Sequence, residues 1–404
     1  MAPGAYHRIL RRVLILIVLL IVYGSLYPWH FTVPHLLANP LWILVHSWHP
    51  LAPRYFLRDI VVNVALYIPL GFAAHLVFRQ SRVPGLGIYG PILLGLSLST
   101  TVELAQLLEP ARDTSSLDVI TNVAGSFSGV LLGLLFEAIA SRRPGGKFRM
   151  AIEWKIADRA ALALVFCWVA WLIFPLFPAL SIYSLVRRLA VFAHSSPFDP
   201  LMLVSTAAAW YAGGLLVSAT GPRISRRWFL TALLAIPGQF FIADRQPVQS
   251  ELIGATCGAL LFALPQRTRE PSRIDAWAFL AVIVVRGLSP FHFATRDVSF
   301  EWIPFGATLG SEWQSAAAVL IEKIFYYGTA IWLLRAAGLK RALATIAVAA
   351  ILAAIEILQT HLLGRTPEIT DPILALVLGF VLSTLAGPGA ASVSECHRIR
   401  ERTY

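Results

Sequence analysis

The sequence predicts an all-α, polytopic transmembrane bundle of about twelve helices, arranged as three successive, parallel four-helix units. Three observations predict it. The 404-residue chain is 57% hydrophobic and only 14% charged, more apolar surface than one soluble core can enclose, so the bilayer is its solvent. Apolar runs alternate with short basic clusters along the whole length. A spaced polar motif recurs three times, each time at the same place in the series of runs.

The apolar runs fall at 13–27, 59–79, 86–108, 117–138, 157–178, 200–219, 228–243, 249–265, 275–288, 316–335, 341–361 and 371–387. The first follows the basic stretch His7 to Arg12 and is read as a retained helix, because no small-residue cleavage site ends it and further spans follow. The segment around Ser181 to His194 is expected to be a short interfacial helix. Four runs to a unit give predicted boundaries of 1–140, 150–266 and 273–390, with a tail at 391–404.

A net charge of +11 would suggest a nucleic-acid partner in a soluble protein. Here the basic residues sit between apolar runs, which is the pattern of membrane topology, and no nucleic-acid partner is expected. Lys and Arg are concentrated in the segments that are cytoplasmic if the N-terminus is. That excess predicts a multi-pass protein with both termini in the cytoplasm. Cys167 and Cys257 lie in apolar segments and Cys396 in the tail, so no disulfide is expected.

In each copy of the motif a helix ends in glutamine, an arginine follows six residues later, and an acid six residues after that opens the next helix. The copies are Gln106, Arg112 and Asp118; Gln239, Arg245 and Glu251; and Gln359, Arg365 and Asp371. Glu103 and Glu356 precede the first and third glutamines by three residues, where the middle copy has Ile236. Pro28, Trp29, His30 and Phe31 near the start of the first unit resemble Pro290, Phe291, His292 and Phe293 near the start of the third.

The first copy is the fullest. Glu103 and Gln106 share a helix face, and Asp59, Asn63 and Tyr67 recur every four residues as a polar stripe on the second run. Ionisable groups within a span cost about 2.5 to 3.5 kcal/mol each at its centre, so such groups usually face a partner or a wet cavity. The two stripes are therefore expected to pack together on the extracytoplasmic side. A purely structural reading stands beside this one: the motif would hold the turn, and Ser250 and Asp371 would cap the helices they begin. Gly125, Gly129 and Gly133, four apart on an apolar helix, are read as close packing. No catalytic nucleophile motif, metal-ligand spacing or cofactor loop is recognised, so neither a metal nor a cofactor is expected.

The stretch Arg58 to Phe72, followed by the elements of Glu103 to Gly125, resembles the VanZ-like family of bacterial membrane proteins. The resemblance covers residues 13–138 well and is weaker over 275–387, where Lys323 stands in place of the asparagine of the second helix. The family pattern is met at Asp59, Asn63, Glu103, Gln106, Arg112, Asp118 and Asn122. It implies a four- or five-helix module of the bacterial cytoplasmic (inner) membrane, whose founding member lowers susceptibility to the lipid-tailed glycopeptide teicoplanin and so implies a link to antibiotic resistance.

Together these readings lead to a non-transporting protein of the cell envelope that binds or shields an anionic lipid or lipid-linked glycan at the outer leaflet. Its partners would be membrane lipids, a lipid-linked glycan or a lipoglycopeptide. Two alternatives remain open at this level: a membrane enzyme acting on such a lipid, and a transporter.

Overall fold

The computed structural model of the chain describes residues 3–27, 29–32, 39–48, 53–110, 114–141, 158–174, 181–194, 198–220, 230–242, 246–264, 271–294, 298–306 and 313–385. The described residues are helical, with no strand among them beyond two isolated bridges, Phe293 with Leu362 and Glu301 with Glu368. The chain divides into two compact units, Met1–Ala151 and Ile152–Tyr404.

The first unit contains α1 (Pro3–Ser25), a short α2 (Pro40–His46), α3 (Pro53–Phe78), α4 (Leu86–Gln106) and α5 (Ser116–Ser141). Helices α3 and α5 pack most closely of all, and glycine is the reason. A Cβ on Gly125 would stand 2.4 Å from the Val64 carbonyl oxygen, and one on Gly129 2.3 Å from that of Ile68. The expected packing role of this stripe is therefore its actual one, because only a residue without a side chain lets the two backbones meet.

The second unit contains α6 (Arg159–Ile173), α7 (Ile182–His194), α8 (Pro200–Thr220), a broken segment centred on α9 (Ala235–Gly238), then α10 (Gln249–Ala263), α11 (Arg273–Leu288), α12 (Trp313–Ala336), α13 (Arg341–Gln359) and α14 (Thr370–Leu385). Helix α7 exposes Ile182, Tyr183, Val186 and Leu189. The run predicted as a continuous helix at 228–243 is instead a 3₁₀ turn at Leu230–Leu234, the four-residue α9 and a second 3₁₀ turn at Gln239–Phe241. Pro237 and Gly238 account for the break, since proline removes a helix donor and glycine has a low helix propensity.

Helices α6 and α8 to α14 share one core. Trp168 meets Trp210 edge to face at 5.0 Å, and Trp171 stacks with Phe325 at 6.0 Å. The Tyr326 hydroxyl donates to the Ser205 carbonyl at 3.0 Å, and Trp332 Nε1 donates to Asp158 Oδ2 at 2.7 Å.

Among the described residues, six helices are long and apolar enough to cross a membrane: Ile60–Phe78, Leu86–Gln106, Ser116–Ala138, Pro200–Thr220, Ser315–Ala336 and Arg341–Gln359. Shorter apolar helices occupy Arg159–Ile173, Ala232–Phe241 and Thr370–Leu385. The chain is a polytopic helical bundle. About twelve spans were expected, and every one of the twelve apolar runs holds a helix, but only six reach spanning length and composition among the described residues.

Candidate functional site

Helix termini leave their last carbonyls without intrahelical partners, and the motif glutamines bind those carbonyls. Gln106 Nε2 donates to the Ser25 carbonyl at the end of α1, at 2.8 Å. Gln359 Nε2 does the same to Gly287 near the end of α11, at 2.8 Å, and Gln239 Nε2 to Leu172 near the end of α6, at 3.0 Å. Gln106 thus ties α4 to α1, Gln239 the broken segment around α9 to α6, and Gln359 α13 to α11.

The motif glutamates hold the turn after each glutamine. Glu103 Oε2 accepts the backbone N–H of Ser115 at 2.9 Å, and Glu356 Oε2 accepts that of Glu368 at 2.8 Å. Both carboxylates are buried. Before these turns Trp29 and Phe291 both adopt positive φ, 68° and 63°, sparsely populated for a residue with a Cβ. Thr32 N then donates to Leu108 O at 2.7 Å, and Ala294 N to His361 O at 2.9 Å.

In the first unit the predicted stripes meet in part. Tyr67 is fully buried, half-buried Asn63 lies one turn before it on α3, and Asn122 Nδ2 donates to Ser99 Oγ at 2.9 Å. Asp118 opens α5, close enough to Glu103 to interact electrostatically. Asp59 belongs to α3, but its side chain lies outside the described residues, as do Arg112 and Arg245 entirely.

In the second unit the third motif copy lines a cavity of about 340 Å³ between α11, α12, α13 and α14. Glu356, Gln359, Arg365 and Asp371 all border it, so the structure brings these four predicted residues together. Lys323, on α12, bonds Asp371 Oδ1 at 2.5 Å and reaches Glu368 Oε1 at 3.5 Å. The Tyr327 hydroxyl donates to Asp371 Oδ2 at 2.5 Å. Tyr67 lies four residues after Asn63, and Tyr327 four residues after Lys323.

Arg365 is not free to act as a simple anion hook. Its Nε donates to the Ser289 carbonyl at 2.6 Å and its Nη2 to the Arg286 carbonyl at 2.8 Å. Burial, and then the neighbouring Arg286 charge, hold its guanidinium below the ordinary value, with Glu356 opposing them. An arginine remains charged under such a shift. Arg286 itself bonds Glu322 and lies 4.9 Å over the Tyr326 ring.

Arg286, Glu322, Tyr327 and Glu368 were not singled out from the sequence. A signal existed: Glu322 and Lys323 are adjacent charges inside an apolar run, which by itself calls for partners. Ser250 does not cap α10 as expected. Its Oγ instead accepts the Asp199 N–H at 2.8 Å, bracing the start of α8. In the middle copy Arg188, from α7, donates to the Phe240 and Ile242 carbonyls at 3.0 and 2.5 Å. Among the described residues no group of three or more His, Cys, Asp or Glu is placed to hold a metal ion.

This polar frame of glutamate, glutamine and asparagine between α3, α4 and α5 can be compared with known families. Residues 12–137 match the VanZ/LLP1 family model. Over that segment the chain is VanZ-like, and the described residues include helices long and apolar enough to cross a membrane. The VanZ-like segment lies wholly within the first unit, so the cavity of the second unit lies outside it. No curated protein and no solved structure matches the chain.

Proposed function

We propose that the protein is a non-transporting component of the bacterial cytoplasmic membrane that binds or shields the head group of a lipid or lipid-linked glycan, with both termini cytoplasmic. The observation that carries this reading is the cavity of about 340 Å³ among apolar helices, bordered by charged side chains and by Ile283, Val319, Leu352 and Ile355. A space with one polar and one apolar lining suits a molecule that is itself polar at one end. Lower susceptibility to lipid-tailed glycopeptides would follow if the bound molecule is also what such antibiotics need at the membrane.

We propose further that residues 273–390 form a second VanZ-like unit and 150–266 a degenerate one. The paired bonds of Gln106 and Gln359, the paired bonds of Glu103 and Glu356, and the matching backbone at Trp29 and Phe291 support common descent. Gln239 keeps only the first of these interactions.

The test is lipid retention. Full-length protein, stripped of lipid in detergent and then offered a total bacterial lipid extract, is expected to hold one lipid per chain by native mass spectrometry. Thr366→Trp, at the exposed rim of the cavity, is expected to lose it. Equal retention by both proteins, or none by either, overturns the reading. A strain lacking the gene, complemented with either version, then reports envelope lipid composition and teicoplanin susceptibility.

A further inference from the structure

Resting on that reading, we infer that the cavity between α11 and α14 selects a head group carrying a primary ammonium beside a phosphate, as in phosphatidylethanolamine, over a purely anionic one. The argument begins with charge. Four carboxylates border the cavity, on Glu322, Glu356, Glu368 and Asp371, against three cations, on Arg286, Lys323 and Arg365. The cations are already engaged: Arg286 by Glu322, Lys323 by Asp371 and Glu368, and two nitrogens of Arg365 by backbone carbonyls. A ligand bearing only negative charge would therefore meet no cation that is not already engaged, beside four carboxyl groups.

Glu368 supplies the second observation. It is only 5% exposed, borders the cavity, and its Oε2 has no hydrogen-bond partner among the described residues. Its other oxygen has Lys323 only at 3.5 Å. An enclosed carboxylate oxygen without a donor is costly, and the terminal torsion of a glutamate is broad. A small turn of the group therefore presents Oε2 to a donor arriving from the cavity. An ammonium brings three N–H groups and a positive charge to pair with that oxygen.

The phosphate has a place at Arg365, which also borders the cavity. Arginine carries five N–H donors in a fixed fork, and the two carbonyl bonds of Arg365 leave donors over for an anion. Ile283, Val319, Leu352 and Ile355 then line the wall where the glycerol and the start of the acyl chains would lie. Amine, phosphate and apolar stem thus each meet a matching part of the cavity.

The experiment titrates delipidated full-length protein with an equimolar mixture of dioleoyl-phosphatidylethanolamine, its N-acetylated derivative and dioleoyl-phosphatidylglycerol, and reads the bound species by native mass spectrometry. Retention of the amine lipid about tenfold above the other two is expected, the size of a hydrogen bond to a charged group. Glu368→Gln is expected to reduce that preference to about twofold. Equal or better retention of phosphatidylglycerol by the wild type overturns the inference while leaving lipid binding intact. Retention of none of the three overturns lipid binding itself, and this selectivity with it. In a second titration that offers phosphatidylcholine and glycerophosphoethanolamine beside phosphatidylethanolamine, retention of phosphatidylcholine as strong as that of phosphatidylethanolamine overturns the role of the N–H donors, and equal retention of glycerophosphoethanolamine overturns the part given to the acyl chains. Because the wild-type preference stands on its own, a Glu368→Gln protein that fails to fold does not blunt the test.

Discussion

Lys323 and Asp371, from α12 and α14, are joined at 2.5 Å inside the second unit. Lys323 sits about 12 Å along α12 from the start of its apolar stretch, at about 1.5 Å of rise per residue. Breaking a buried pair by removing one partner strands the other charge. Lys323→Met is therefore expected to destabilise the protein by about 3 kcal/mol, seen as a lower midpoint in a detergent thermal-unfolding assay. Adding Asp371→Leu is expected to recover part of that loss. A double variant whose loss equals the sum of the Lys323→Met and Asp371→Leu losses would show that the residues do not act as a pair.

Gln359→Leu removes the tie to the Gly287 carbonyl and leaves that carbonyl enclosed, at an expected cost of about 1 to 2 kcal/mol. Gln106→Leu should cost a similar amount in the first unit. Hydrogen exchange at the ends of α1 and α11 checks both, with faster exchange expected only in the unit that carries the change.

Gly129→Ala places a methyl group about where the Ile68 carbonyl oxygen lies, 2.3 Å away. Forcing α3 and α5 apart is expected to cost about 1 to 3 kcal/mol. A cysteine pair across α3 and α5, cross-linked in the parent protein, should link more slowly in this variant. Unchanged cross-linking would mean that the helices do not approach as closely as described.

Arg365→Lys keeps the charge but not the fork that reaches both the Ser289 and Arg286 carbonyls. It is expected to lose about 1 kcal/mol of stability, and Arg365→Ala more. If lysine restored full stability, the two carbonyl bonds would contribute nothing, and the residue would act through its charge alone.

The helices were legible because hydropathy and basic clusters are local signals, and each apolar run holds a helix. The break at Pro237 and Gly238 was legible too, but a window of apolar residues outweighed it. Glu356, Gln359, Arg365 and Asp371 were found by spacing, since a repeat compares a chain with itself. Their partners were not found: Lys323 and Asp371 are 48 residues apart, and only the folded chain pairs them. Nor does the spacing show that the carbonyls at the end of α11 take two of the Arg365 donors, a pairing that only the folded chain makes.

The tie between Gln106 and Ser25 spans 81 residues and lies within the first unit. A nascent chain therefore holds all that this closure requires before residue 152 has been synthesised. In the second unit the bond from Tyr326 to Ser205 spans 121 residues, so that core must wait for α12. The first unit can thus close on contacts made wholly within itself, whatever the state of the chain that follows it.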